Sequence, residues 1–156
     1  MTDAPCPAHR RPIRLPPEAY RGGDPFLITI CTASRAPILT SAPMARAVAA
    51  RLDPQLVCEG GPVGVWCAMP DHLHMILTRA PDIIQWVAQF KAATTTVARN
   101  AGLVGHLWQR RFHDRRLDPT TEALETVTAY ILQNPVRRGL VERWEDWPWV
   151  RVGWRP

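Results

Sequence analysis

Apolar and polar positions along the chain group into short alternating runs and longer stripes at helical spacing. Phe26 to Thr32 (FLITICT) is β-branched and aromatic and follows Gly22-Gly23-Asp24-Pro25, which predicts a strand. Pro43 to Leu52 is alanine-rich with apolar residues at helical spacing, and Ser41 stands near its start as a candidate cap. Val63 to Met69 predicts a second strand. It leads through Pro70 into His72 to Thr78, as one bent element or as two. Asp82 to Ala101 reads as a long helix with the apolar stripe Ile83, Trp86, Val87, Phe90 and Val97, ended by Asn100-Ala101-Gly102. Leu107 to Leu117 (LWQRRFHDRRL) is strand-like and heavily basic. Asp118-Pro119 then has the form of a cap followed by proline at the first helical position, so a last helix is expected from there to Asn134, stopping at Pro135. Strands and helices mix without the strict alternation of a parallel sheet, which predicts an α+β domain.

The ends differ from this middle. Residues 1–24 are rich in Pro and Arg without periodicity and read as a basic arm, with Arg10, Arg11 and Arg14 available for phosphate and Tyr20 as its anchor. Residues 25–150 form the domain and 151–156 a short tail. From Trp144 onward the chain holds four of its seven tryptophans, which are expected to pack back over the core.

Composition narrows the class of partner. The 156 residues suit a single domain with a real core, and 19 Lys and Arg against 14 Asp and Glu give a net charge of +5. All but one of the bases are arginine, Lys91 being the exception. Guanidinium forks bind phosphate bidentately, so the excess favours a polyanion. A GC-rich genome raises Arg, Ala and Pro together and accounts for most of the Arg/Lys ratio, but for little of the net charge. Cys6, Cys31, Cys58 and Cys67 have no C-x-x-C spacing, and Cys31 and Cys67 lie in apolar runs where a reduced thiol is usual. No signal-peptide core or membrane-length apolar run is present, so a soluble cytoplasmic protein with no membrane partner is expected.

Within the apolar run MPDHLHMIL, His72 and His74 share one face of a strand, while Leu73, Met75 and Leu77 point the other way. Two adjacent imidazoles on a strand can clamp a divalent ion, or can simply be satisfied by hydrogen bonds. On the last helix Leu124, Val127 and Ile131 trace the buried stripe, and Tyr130 and Asn134 lie one turn apart beside it. Taken alone, Tyr130 reads as a core-edge aromatic and Asn134 as a C-terminal cap.

The segments RRPIRLPPEAY, FLITICT, MPDHLHMIL, LWQRRFHDRRL and AYILQNPVRRGLV occur in this order over about Arg10 to Trp149. Together they resemble the small IS200/IS605-type transposases, and within them the REP-associated tyrosine transposases. The resemblance implies a single-domain HUH endonuclease fold: a central antiparallel β-sheet flanked by helices, ferredoxin- or RRM-like. It makes His72 and His74 the metal pair and Tyr130 the nucleophile. Asn134 stands where many IS200/IS605 relatives have a metal-liganding Gln; with its shorter side chain it is expected to ligate directly or through water. The implied cofactor is Mg²⁺ or Mn²⁺; two nitrogen ligands suit Mn²⁺ or Zn²⁺ better than Mg²⁺.

The implied chemistry is cleavage and rejoining of single-stranded DNA through a 5′-phosphotyrosine, with a free 3′-OH. A phenol, with a pKa of about 10, is a poor nucleophile at neutral pH and needs the phosphate polarised for it. The implied partner is hairpin DNA with a single-stranded flank, in a prokaryotic cell and nucleoid-associated when bound. Arg110, Arg111, Arg115, Arg116, Arg137 and Arg138 are the candidate phosphate contacts, with Lys91 added as the sole lysine. His106 and His113 fit no common zinc spacing, and Asp71 and Asp114 are candidate positioning carboxylates. A homodimer and a monomer both stay open. The rival readings are a hairpin-binding protein without catalysis and a metal-dependent phosphohydrolase.

Overall fold

The computed structural model describes residues 14–154. Five strands make one antiparallel sheet: β1 (Phe26–Cys31), β2 (Val63–Met69), β3 (His72–Leu77), β4 (His113–Arg116) and β5 (Val150–Val152), in the order β4-β1-β3-β2-β5. Three helices cover it: α1 (Ala42–Leu52), α2 (Ile83–Asn100) and α3 (Thr121–Arg137). The succession β1-α1-β2-β3-α2-β4 with spatial order 4-1-3-2 is the ferredoxin-like arrangement, to which the chain adds α3 and the edge strand β5. The α+β reading holds.

Alternation along the strands splits the interior in two. Phe26, Ile28, Ile30, Trp66, Leu73, Met75 and Leu77 face α1 and α2 and form the larger core with Val48, Leu52, Val87 and Phe90. Val65, Cys67, Met69 and Ile76 face the other way and pack with Val127 and Ile131 of α3. Trp144, Trp147 and Trp154 close that second core, and Trp147 Nε1 donates to Ala68 O at 2.9 Å. The tail therefore packs back as expected. It also does more, because β5 crosses position 150 and pairs with β2, so the sheet continues into the segment read as a tail. At the other end, Pro17–Tyr20 form a turn of 3-10 helix and Tyr20 is 1% exposed, so this part of the arm belongs to the core. Tyr20 anchors it, donating its hydroxyl to Asp114 at 2.8 Å while accepting from Leu15 N–H.

Several boundaries differ from the sequence expectation. β2 and β3 are separate strands joined at Pro70-Asp71. Ser41 occupies the N-cap position of α1 but its side chain makes no cap bond. Asp82 does cap α2, accepting from Gln85 N–H at 3.0 Å. Val97 is 49% exposed; the stripe of α2 runs instead through Thr94 and Ala98, and the Thr94 hydroxyl accepts the indole N–H of Trp108 at 2.8 Å. The basic segment is a strand only over β4, while Leu107, Trp108 and Phe112 fill the core from a loop.

α3 starts later than expected, since Asp118 accepts the Thr120 N–H at 3.0 Å and forms a turn ahead of the helix. It also continues past Pro135 to Arg137. A proline there removes only the bond its own nitrogen would make to the turn before, close to the helix end. Arg138 N–H still reaches Asn134 O at 3.0 Å, and Leu140 N–H reaches Pro135 O at 2.9 Å around Gly139, whose φ of +66° supplies the left-handed stop.

Candidate active site

β3 buries His72 and His74 on the α3 side of the sheet, at 5% and 8% exposure. Each ring is fixed at Nδ1. His72 Nδ1–H donates to the Asp71 carboxylate at 2.6 Å, and His74 Nδ1 lies 2.8 Å from the hydroxyl of Thr29, its cross-strand neighbour. The two Nε2 atoms converge to 3.1 Å. Burial pushes both imidazoles below their ordinary range, His74 to about 3, with the charges of Arg35 and Arg138 acting in the same direction. Burial alone would raise Asp71, but the hydrogen bond from His72, with the charges of Arg35 and Arg138 nearby, brings it below its ordinary value. At neutral pH the site therefore presents two uncharged imidazoles oriented from behind.

These hydrogen bonds set the proton positions. With Asp71 accepting from His72 Nδ1–H, His72 Nε2 carries the lone pair. His74 Nε2–H can then donate to it while the Thr29 hydroxyl donates to His74 Nδ1. Moving the His74 proton to Nδ1, with Thr29 accepting it, aims both Nε2 lone pairs at one point. Two nitrogens about 2.1 Å from one ion at a right angle lie about 3 Å apart, which the 3.1 Å separation matches. Ligating histidines are characteristically held by a carboxylate or hydroxyl on the other nitrogen. The pair thus fits a divalent ion. Among the described residues no group of three or more His, Cys, Asp or Glu is placed to hold one.

α3 brings Tyr130 to the pair. Its ring stands edge-on to His74 with centroids 5.9 Å apart, and Tyr130 is 43% exposed, open to a substrate on its outer side. Arg137 lies over the same ring at 5.3 Å. One turn on, Asn134 is buried and donates its side-chain amide to Tyr130 O at 2.9 Å. That bond commits the nitrogen to the helix and leaves Oδ1 as the atom able to serve a cation or a water.

The other candidates separate by face. In the register of β1 with β4, His113 and Arg115 stand opposite Thr29 and Leu27, on the histidine side, whereas Asp114 and Arg116 stand opposite Ile28 and Phe26. Asp114 is therefore taken by Tyr20, and Arg116 pairs with Asp24, away from the histidines. Asp71 does hold His72; Asp114 has no part in the site. Arg110 and Arg111 are exposed on the loop before β4. Lys91 supports that loop from α2, donating to Gln109 O at 2.6 Å and Arg110 O at 3.0 Å, so two of its three N–H groups serve the backbone. Arg14 lies over the Phe112 ring at 4.6 Å, on the same loop. Arg10 and Arg11 lie outside the described residues.

Two residues at the site carry no advance signal in the sequence. Thr29 is an ordinary strand residue until β1 and β3 are put in register. Arg35 follows β1 in a turn without glycine and reaches Asp71 at 3.0 Å.

No family model matches the chain. Over 86 residues it is 28% identical to a REP-associated tyrosine transposase of Escherichia coli (strain K12), covering 55% of this chain and 51% of that protein. The chain is similar to the REP-associated tyrosine transposases. The alignment spans about half the length of that curated relative. The solved structure of a REP-associated tyrosine transposase bound to a REP hairpin superposes with a TM-score of 0.64 at 22% identity, over 88% of each chain. The two share a fold. No helix among the described residues is long and apolar enough to cross a membrane.

Proposed function

We propose that this chain is a single-tyrosine, metal-dependent transposase that cuts and rejoins single-stranded DNA beside a hairpin. The observation that carries the reading is the contact of the Tyr130 ring with His74, whose Nε2 converges with that of His72. A tyrosine exposed on one side and a pair of oriented, neutral imidazoles have no joint purpose in a protein that only binds nucleic acid.

In this reading the Tyr130 oxygen attacks the scissile phosphorus as the phenol loses its proton. The P–O3′ bond breaks, and the departing 3′ oxygen takes up a proton to become a free hydroxyl. One phosphodiester is exchanged for another, so the 3′-OH can later attack the phosphotyrosine and reseal a strand. His72 and His74 would hold Mg²⁺ or Mn²⁺, with Asn134 Oδ1 ligating directly or through water; a bound ion would supply charge stabilisation on the phosphate oxygens. Arg137 and Arg138 follow Tyr130 in sequence and would receive the flanking phosphates, with Arg115 on the same face. Arg110, Arg111 and Arg14 would track the hairpin along the loop that Lys91 supports, with Arg10 and Arg11 extending that contact. Arg116, paired with Asp24, would contribute least.

The test is incubation with a hairpin oligonucleotide carrying a single-stranded flank, with Mn²⁺, followed by denaturing electrophoresis. Tyr130→Phe is expected to abolish both cleavage and the protein–DNA adduct. His72→Ala with His74→Ala is expected to abolish cleavage and keep hairpin binding. Cleavage by Tyr130→Phe would overturn the reading.

A further inference from the structure

Just after β1 the backbone adopts a conformation that side chains rarely occupy. Ser34 and Arg35 have φ of +53° and +56°, in the left-handed region, and neither is glycine. The turn is held from both sides: the Thr32 hydroxyl shares its one proton between Ala36 O at 2.6 Å and Asp71 O at 2.9 Å, and Thr32 N–H donates to Asp71 O at 3.0 Å. Its product is the placement of one guanidinium. Arg35 Nη1 donates to Cys31 Sγ at 2.9 Å and Nη2 to Asp71 Oδ2 at 3.0 Å. The other carboxylate oxygen, Oδ1, receives His72 Nδ1–H.

We propose that Arg35 is a positioning residue: it pins the Asp71 carboxylate so that His72 is held in the Nδ1–H tautomer, with its Nε2 lone pair aimed at the gap beside His74. Asp71 sits in the tight link between β2 and β3, where a carboxylate bonded only to the imidazole could turn about its own bonds. A guanidinium bound at the same time to Cys31 and to the second oxygen fixes the plane of the carboxylate, which a flexible ammonium cannot do as well. Partners of this kind behind a ligating histidine commonly change cation affinity when removed. The inference rests on reading the histidine pair as a cation site.

The experiment uses the full chain without DNA and has two readouts: the tautomer of His72 from imidazole ¹⁵N NMR of the metal-free protein, and Mn²⁺ affinity by EPR titration. Arg35→Gly removes the guanidinium while suiting the positive φ, so the fold is not penalised at that position. It is expected to mix the His72 tautomers and weaken Mn²⁺ binding by about 10–100-fold. Arg35→Lys is expected to recover part of that loss. Asp71→Asn is expected to lose at least as much, with little added by Arg35→Gly on top. Ser34→Gly relaxes the same turn without touching the guanidinium and is expected to leave both readouts unchanged. A wild-type tautomer and affinity in Arg35→Gly would overturn the proposal, as would an equal loss in Ser34→Gly. If the unaltered chain takes up no Mn²⁺ although its His72 tautomer depends on Arg35, the cation reading fails while the positioning role stands.

Discussion

On the side of the sheet covered by α1 and α2, Ile28, Ile30, Leu73, Met75 and Leu77 pack against Trp66 and Phe90 in an apolar interior. On the α3 side the same strands present Thr29, His72 and His74 beside Cys67, Met69 and Ile76. Both sides are buried, yet the first is apolar at its centre, while the second sets hydrogen-bonded imidazoles, which are costly to bury, among its apolar residues. The larger core can therefore carry the stability of the domain, leaving the smaller one to hold two imidazoles against a half-exposed tyrosine.

The largest effect expected from breaking this division lies on the apolar side. Phe90→Ala should lower unfolding free energy by about 3–5 kcal/mol in denaturant titration, without altering the ring contact of His74 with Tyr130. On the α3 side a methyl group at Gly64 would overlap the Trp154 ring, whose atoms lie 2.3 Å from where a Cβ would stand. Gly64→Ala should displace that ring, change tryptophan fluorescence and cost about 1–3 kcal/mol as an overpacked site.

Acid separates the two sides further. The unfolded chain takes protons on these histidines below about pH 6.5, while the folded chain keeps them neutral, His74 down to about 3. A depressed imidazole pKa means that unfolding binds protons, so stability is fully present at pH 7 and falls as pH drops through the unfolded value. For His74 the loss between pH 6.5 and pH 5 is about 2 kcal/mol, and His74→Gln should flatten the profile over that window. The smallest effect is expected on the outer surface of α2, where Val97→Gln should stay within about 0.5 kcal/mol of the parent in thermal melts.

The same division explains what the sequence could and could not disclose. Alternation in FLITICT and HLHMIL is enough to define both strands and to put His72 with His74 on one face, because the period of a strand fixes it. Helical spacing likewise puts Tyr130 and Asn134 on one face of the last helix, but only the family resemblance makes them candidates for the site. Periodicity is silent about register, so Thr29 opposite His74 and Arg116 opposite Phe26 could not be read from it. Arg35 depends on a left-handed turn without glycine, and β5 is only three residues long, so neither leaves a local pattern. Pro135 misleads for a physical reason: near a helix end the missing N–H costs little, and α3 runs on to Arg137. Val97 misleads because it lies at the margin of the α2 stripe, whose buried line runs through Phe90, Thr94 and Ala98.

In the proposed function the histidine pair on the α3 side serves the attack of Tyr130 on a DNA phosphate. Peptide mapping by mass spectrometry, after incubation with a hairpin oligonucleotide and Mn²⁺ and nuclease trimming, tests it most directly. The predicted result is a nucleotide linked through its 5′ phosphate to Tyr130, lost in His72→Ala with His74→Ala and absent without a divalent ion. Cleaved DNA with no modified Tyr130 peptide, or an adduct on Tyr20, would contradict it.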